Sequence, residues 1–172
     1  MKKLTQLFEN SYESVAIKWH SPVRLAENWE EYSKINQTDI FFYKIIAKRG
    51  EKYKLIYIGM SEKQSIHQRL YNKDHRLKQQ IMKENNNGWV LYSCLGELKK
   101  TKDENDSYEW SKNNVPLIEK MLIITHSDFP SLTNKIGINW FSCNAWIKIK
   151  NTGFLKDEMY KIITYGLCST ES

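Results

Sequence analysis

The chain has 172 residues, of which 41% are hydrophobic and 13% aromatic, and its formal net charge is +6. This size and composition predict one domain with a substantial core, and the charge suits a polyanionic partner such as nucleic acid. The longest apolar run, residues 117–125, contains Glu119 and Lys120 and is far too short to span a membrane. We therefore expect no membrane partner. The three cysteines and four histidines lack the spacing of a zinc site, so we expect a reduced, cytoplasmic protein.

Two apolar runs near residue 50 predict a β-hairpin. Residues 40–47 are rich in β-branched and aromatic side chains, and residues 53–58 form a second run after the polar, glycine-containing turn at 48–52. Gly59 follows the second run. We interpret it as the residue that ends the strand, so that the chain turns at once into a helix.

Two helices are predicted after the hairpin. Ser61 is a suitable N-cap for the first helix, which is expected to run to about Tyr71. The second helix is predicted over residues 75–83, with Leu77, Ile81 and, as a further candidate, Met82 directed towards the core.

The remaining sequence predicts two strands and one helix. Residues 89–98 are rich in β-forming side chains, and Pro116 lies in the first turn of a helix that Asn113 or Asn114 would cap. Isoleucine alternates with lysine over residues 147–150, which is typical of a strand with one buried face. The order β-β-α-α-β-α indicates the α+β class rather than a doubly wound parallel sheet.

Five polar residues stand in an order and at separations that resemble the GIY-YIG nuclease family: Tyr43, Tyr57, Arg69, Glu119 and Asn134. The second signature motif of that family is present as Tyr57-Ile58-Gly59, whereas the first, Gly-Ile-Tyr, is replaced by Phe41-Phe42-Tyr43. The residue four positions beyond the arginine is often His or Tyr in the family. Here that position is Lys73, and His75 follows two positions later, so both residues are candidates for the same catalytic role.

The resemblance implies a small three-stranded antiparallel sheet flanked by helices. It divides the chain into an N-terminal extension (1–38) that packs on the core, a GIY-YIG-like nuclease core (39–136) and a C-terminal extension (137–172). The two tyrosines are expected on adjacent antiparallel strands, with their hydroxyls on the face that carries the arginine and the glutamate.

The family also implies a Mg²⁺- or Mn²⁺-dependent endonuclease that hydrolyses DNA phosphodiester bonds. A hydroxyl of Tyr43 or Tyr57 can orient or deprotonate the attacking water, and the Arg69 guanidinium can bind two phosphate oxygens. Magnesium prefers oxygen ligands and keeps several waters, so Glu119 alone can hold it. A carboxylate inside an apolar run is also costly unless it is paired or bound to a metal. Asn134 is expected to face the same site.

Cations near the proposed site predict a groove that binds the DNA backbone, with Lys44, Lys63, Arg76 and Lys78 as its candidate residues. The affinity of such a groove for DNA falls as salt rises. The alternative is a domain that keeps the fold but has lost catalysis, and that acts as a nucleic-acid-binding or protein-interaction module. The oligomeric state stays open, although a homodimer would allow one type of site to cut both strands.

Overall fold

The computed structural model describes residues 12–25, 39–62, 65–100, 108–134, 146–157 and 159–165. The strands are β1 (Tyr12–Trp19), β2 (Val23–Arg24), β3 (Ile40–Arg49), β4 (Lys52–Met60), β5 (Val90–Lys99), β6 (Trp146–Gly153) and β7 (Ile162–Tyr165). The helices are α1 (Ile66–Tyr71), α2 (Lys73–Asn85), α3 (Tyr108–Asn113) and α4 (Val115–Thr125). None of these helices is long and apolar enough to cross a membrane.

The strands form one seven-stranded sheet in the order β4-β3-β5-β1-β6-β7, with β2 paired to β5. Neighbouring strands are antiparallel except β1 and β6, which run parallel. The α+β class is therefore confirmed, but the prediction of a three-stranded sheet is wrong. Strands β1 and β2 come from the predicted extension 1–38, and β6 and β7 come from the predicted extension 137–172. These strands enlarge the sheet and bury their apolar residues, because Val15, Ile17, Ile147 and Ile149 join the same apolar cluster as residues of α4.

The sheet is buried on both faces. Alternation along β3 sends Phe42 and Ile46 into one apolar cluster and sends Tyr43 and Ile45 into the other. Residues of α4 cover the first cluster, and residues of α1 and α2 cover the second. Tyr43 and its neighbours therefore lie on the face of the sheet that α1 and α2 pack against.

A β-bulge in β4 sets the direction of Tyr57. Ile45 pairs with Tyr57, whereas the next residue, Ile46, pairs with Leu55, so Ile56 is an extra residue on β4. The extra residue reverses the alternation of side chains at this point. Leu55 therefore joins the first cluster, while Tyr57 joins the cluster that contains Tyr43.

The predicted start of the first helix is wrong by one turn. The N-cap is Ser65, not Ser61, and Ser65 forms a capping box with Gln68 in which each side chain accepts the other residue's backbone N–H at 3.1 Å. Strand β4 continues through Gly59 to Met60, and the Ser61 N–H still donates to the Phe41 carbonyl at 2.8 Å. The glycine therefore does not end the strand.

Helix α2 exposes two of the residues that its apolar pattern predicted to be buried, Leu77 and Ile81, and buries the third, Met82. Leu77 is 54% exposed and Ile81 is 56% exposed, whereas His75, Gln79 and Met82 are buried. Gln79, one polar member of this buried stripe, is compensated because its amide donates to the Leu70 carbonyl at 3.1 Å. The ring of His75, the other polar member, packs on tyrosine rings. The prediction for Leu77 and Ile81 is wrong because these tertiary partners outweigh the helix's own amphipathic pattern.

Three other predicted elements are confirmed. The third strand of the predicted core is β5, and the helix around Pro116 is α4, with Asn114 at its N-cap position. Strand β6 buries Ile147 and Ile149 and exposes the lysines between and after them.

Candidate active site

A pair of tyrosines on neighbouring strands forms the centre of the site. The rings of Tyr43 on β3 and Tyr57 on β4 lie nearly parallel, with their centroids 6.0 Å apart. The Tyr43 hydroxyl donates a hydrogen bond to the Tyr57 hydroxyl, and burial raises the pKa of both phenols. Both residues therefore keep their protons at neutral pH. The hydrogen bond lowers the pKa of Tyr57, which accepts it, and raises the pKa of Tyr43.

Gly59 makes room for this pair. It lies directly opposite Tyr43 in the sheet. A β-carbon on Gly59 would lie 2.4 Å from Cζ of Tyr43 and 2.8 Å from Cε1 of Tyr57, which is closer than atoms can approach. The glycine of the Tyr57-Ile58-Gly59 motif is thus required by the ring of Tyr43, not by a turn at the end of the strand.

The phenylalanine that replaces the first motif glycine lies at an irregularity in β3. Ile40 pairs with Glu97 and Phe42 pairs with Gly96, so Phe41 has no partner of its own on β5. The side chain of Phe41 packs against the first apolar cluster, away from the tyrosines. Tyr43 lies in the other apolar cluster with Tyr57, so this departure from the family motif does not keep Tyr43 from the site.

Arg69 joins the site from α1. The buried neighbours Ile66 and Leu70 fix the helix against the sheet. The guanidinium donates a hydrogen bond to the Tyr43 hydroxyl, and its charge favours the ionised forms of both tyrosines by lowering their pKa. In the described part of the chain, Nε of Arg69 is buried and has no hydrogen-bond partner.

Glu119 joins the site from α4. Its helix buries Ile118, Met121 and Leu122, which leaves Glu119 half-buried at the edge of the packed face. Burial raises the pKa of its carboxyl group to about 7, although the Met60 N–H donates to it and Arg69 and Lys120 favour its charged form. Burial raises the pKa more than these partners lower it, so the partners do not fully compensate the cost of burying this carboxylate.

His75, on α2, touches both tyrosines and is only 4% exposed. Its ring centroid lies 5.4 Å from that of Tyr43 and 5.6 Å from that of Tyr57. Burial, followed by the charges of Arg69 and Lys78, lowers the pKa of His75 to about 4, so the imidazole is neutral at pH 7. Its Nε2 atom is buried without a hydrogen-bond partner among the described residues.

Lys73 lies elsewhere. It is exposed at the start of α2 and lines a surface groove with Tyr71 and Arg76. Of the two sequence-based candidates for the same role, the structure brings only His75 into contact with the tyrosines.

Asn134 holds the outer edge of the site in place. Its side-chain amide donates to the carbonyl of Ile58 and accepts from the N–H of the same residue at 3.3 Å. The preceding Thr133 N–H donates to the Ile56 carbonyl at 2.8 Å. Because β4 is the last strand of the sheet, this segment covers its free edge beside Tyr57. Asn134 is thus placed to position the strand that carries Tyr57.

A family model of the GIY-YIG catalytic domain matches residues 25–159, which is most of the chain. The chain belongs to the GIY-YIG family. This membership confirms the resemblance drawn from the motifs and assigns a nuclease-type function. The match extends beyond the predicted core 39–136 on both sides and reaches through β6. No curated protein and no solved structure matches the chain.

The GIY-YIG domain does not present Lys44 to DNA, so that prediction is wrong. Lys44 is fully buried, and its Nζ atom lies 2.9 Å from both carboxylate oxygens of Asp157 and 2.8 Å from the Phe154 carbonyl oxygen. The ammonium also lies 4.9 Å from the ring centroid of Trp19. A strand lysine that has these partners stabilises the packing of the segment after β6 and cannot reach a phosphate.

Other cations of the GIY-YIG domain do face solvent. Arg76 and Lys78 are exposed on α2, as a DNA-binding role requires, whereas Lys63 lies outside the described residues. Arg76 also lines a groove of about 370 Å³ together with Arg24, Lys83 and the half-buried Trp89. No sequence pattern predicts that Arg24 lies near α2, because β2 reaches this groove through its pairing with β5.

The GIY-YIG site fits a single hard cation held by one carboxylate. The described residues contain no group of three His, Cys, Asp or Glu side chains that would hold a metal by themselves. Glu119 offers a half-buried carboxylate that accepts from the Met60 N–H, and a cation beside it would remove the burial penalty. Magnesium, which keeps several waters and needs one or two carboxylates, matches this donor set.

Proposed function

We propose that this protein is a divalent-metal-dependent endonuclease that hydrolyses phosphodiester bonds in DNA. The observation that carries the proposal is that the ring centroids of Tyr43, Tyr57 and His75 lie within 6.0 Å of one another. The charge of Arg69 acts on these three residues and on Glu119. These side chains come from β3, β4, α2 and α4, and they share one small region at the end of the sheet. Perturbed titratable groups that converge in this way are typical of catalytic sites.

Arg69 is the proposed phosphate-binding residue. Among the described residues its buried Nε atom has no partner, and leaving a buried donor unpaired costs about 1–3 kcal/mol. A phosphate oxygen would satisfy this donor, and the planar guanidinium can bind two oxygens at once. The hydrogen bond to Tyr43 holds the guanidinium in place before the substrate arrives. Its charge then stabilises the negative charge that grows on the phosphate in the transition state.

His75 is the proposed proton acceptor for the attacking water. It is neutral at pH 7, and among the described residues its buried Nε2 has no partner, so a ring nitrogen is available for a proton. The lowered pKa makes His75 a weak base in the free protein, and the negative charge of a phosphate beside Arg69 would raise that pKa. The water oxygen forms a bond to phosphorus, the water proton passes to His75, and the bond from phosphorus to the leaving oxygen breaks. The leaving alkoxide takes a proton from solvent. Tyr57 keeps its proton and orients the water through its hydroxyl.

Glu119 is the residue that would hold Mg²⁺ or Mn²⁺. A bound divalent ion supplies positive charge that stabilises the phosphate and the leaving oxygen. The raised pKa of Glu119 makes this role dependent on pH, because a proton and a cation compete for the same carboxylate.

The test is the nicking of supercoiled plasmid DNA with and without Mg²⁺. Wild-type protein should convert supercoiled plasmid to open circles only with the metal, and Glu119→Ala should not. Glu109→Ala changes an exposed glutamate on α3 and serves as the matched control. Salt-dependent DNA binding without any nicking would instead support a binding module that has lost catalysis. A protein that neither nicks DNA nor binds it would overturn both the nuclease and the DNA-binding interpretation.

A further inference from the structure

A cavity that the proposed reaction does not use opens beside Tyr57. Its volume is about 550 Å³, and its walls include Tyr57, Lys78, Ile81, Met82, Thr133 and Asn134. Two of these residues, Tyr57 and Asn134, belong to the candidate active site. The cavity therefore adjoins the candidate active site at Tyr57.

Both walls of the cavity are held by defined structure. Lys78, Ile81, Met82 and Asn85 lie at positions i, i+3, i+4 and i+7 of α2, so they form one stripe of that helix. Thr133 and Asn134 form the opposite wall, and hydrogen bonds hold both residues to the edge of β4. The cavity is thus built between a helix and a strand edge, not by a loose loop.

The chemistry of the walls matches a nucleotide. Ile81 and Met82 provide an apolar surface, and Met82 is a polarisable partner for an aromatic ring. Lys78 places a positive charge on the rim, and no carboxylate is among the described lining residues. An aromatic base can stack against the apolar wall while a neighbouring phosphate pairs with the lysine. The Asn85 amide offers both a donor and an acceptor for the edge of a base.

The cavity has room for one unpaired base. Its volume of about 550 Å³ is enough for one nucleotide. A base that is paired inside a duplex has its ring faces stacked on its neighbours, so it cannot stack against Ile81 or Met82. Enzymes that bind a base in a pocket act on single strands or swing the base out of the helix, and they hold it between apolar or aromatic side chains. We propose that this cavity binds one unpaired nucleobase of the DNA strand, next to the phosphate that is cut. The proposal rests on the proposed nuclease function and adds a substrate class to it: DNA with an unpaired or easily unpaired nucleotide at the cutting site.

The test uses thymidine 3′,5′-bisphosphate and the same sugar bisphosphate without a base. Both ligands are titrated into the full-length protein while the methyl signals of Ile81 and Met82 are followed by NMR. These signals should shift with the nucleotide and stay in place with the abasic ligand. Ile81→Ala should weaken nucleotide binding about tenfold, which is in the range for loss of one stacking contact.

Leu77→Ala is the matched control, because Leu77 is exposed to the same degree one turn earlier on α2 but lines a different groove. It should leave nucleotide affinity within about twofold of wild type. Equal affinity for the two ligands, equal losses in the two variants, or no nucleotide binding at all would each overturn the proposed base site. Plasmid nicking separates that outcome from a failure of the proposed function. Metal-dependent nicking that Glu119→Ala abolishes would leave the nuclease function intact even if the base site is refuted.

Discussion

Replacement of Glu119 by glutamine should stabilise the fold at neutral pH although it removes the proposed metal ligand. Burial raises the pKa of Glu119 from an ordinary 4.5 to about 7. The unfolded chain therefore ionises first as the pH rises, so the folded protein loses stability between about pH 4.5 and pH 7. At 1.36 kcal/mol per pH unit the loss is at most about 3 kcal/mol, and partial exposure of the carboxylate reduces it to about 1–2 kcal/mol.

Glutamine keeps an oxygen that can accept from the Met60 N–H, but it cannot ionise. The assay is urea unfolding of wild type and Glu119→Gln at about pH 4.5, 6 and 8 without divalent metal. The difference in the free energy of unfolding should be near zero at the lowest pH and should grow to about 1–2 kcal/mol in favour of the variant, or roughly 2–8 °C in Tm. Glu109→Gln controls for the loss of one negative charge. A difference that does not grow with pH would refute the reasoning that burial is what raises this pKa.

Three further results are expected. Gly59→Ala should destabilise the fold by about 1–3 kcal/mol and slow cleavage, because the added methyl group displaces Tyr43; denaturant unfolding and nicking rates measure the two effects. Lys44→Met should cost about 3–5 kcal/mol of stability, because it leaves a buried carboxylate without its partner, yet the salt dependence of DNA binding should not change. His75→Phe should preserve the ring packing and lower the single-turnover rate by about 10²–10⁴, whereas Lys73→Ala should cleave at nearly the wild-type rate; the reverse result would exchange their roles.

Tyr43, Tyr57 and Arg69 could be predicted from sequence because the structure brings these three residues together through short-range elements. Tyr57 and Arg69 lie on a strand and on the helix that follows it, and Tyr43 lies on the paired strand of the same hairpin. Their relative positions depend on local chain geometry, which spacing reports well. The role of Gly59 was harder to infer, because the atoms that exclude a side chain there belong to the partner strand.

Other features depend on partners that are distant in the chain. Lys44 pairs with Asp157, which is 113 residues away, so its burial has no local signal. The stripe of α2 that faces the site contains His75 because the tyrosine rings provide a surface for it, and this overrides the apolar pattern of Leu77 and Ile81. The strands that enlarge the sheet could not be predicted for the same reason, because their partners are distant in the chain. Strands β1 and β6 lie at opposite ends of the chain, yet they pair in parallel.

The central claim is that Arg69 and the tyrosine pair act on one phosphate. It is tested most directly by single-turnover cleavage of a DNA substrate by wild type, Arg69→Ala and Tyr57→Phe, with DNA affinity measured for each in the absence of metal. Arg69→Ala removes a preorganised donor to the phosphate, so its rate should fall by about 10²–10³. Tyr57→Phe keeps the ring packing and loses only the hydroxyl that orients the water, so its rate should also fall steeply. Both variants should bind DNA with close to wild-type affinity, and cleavage by either variant at the wild-type rate would contradict the account.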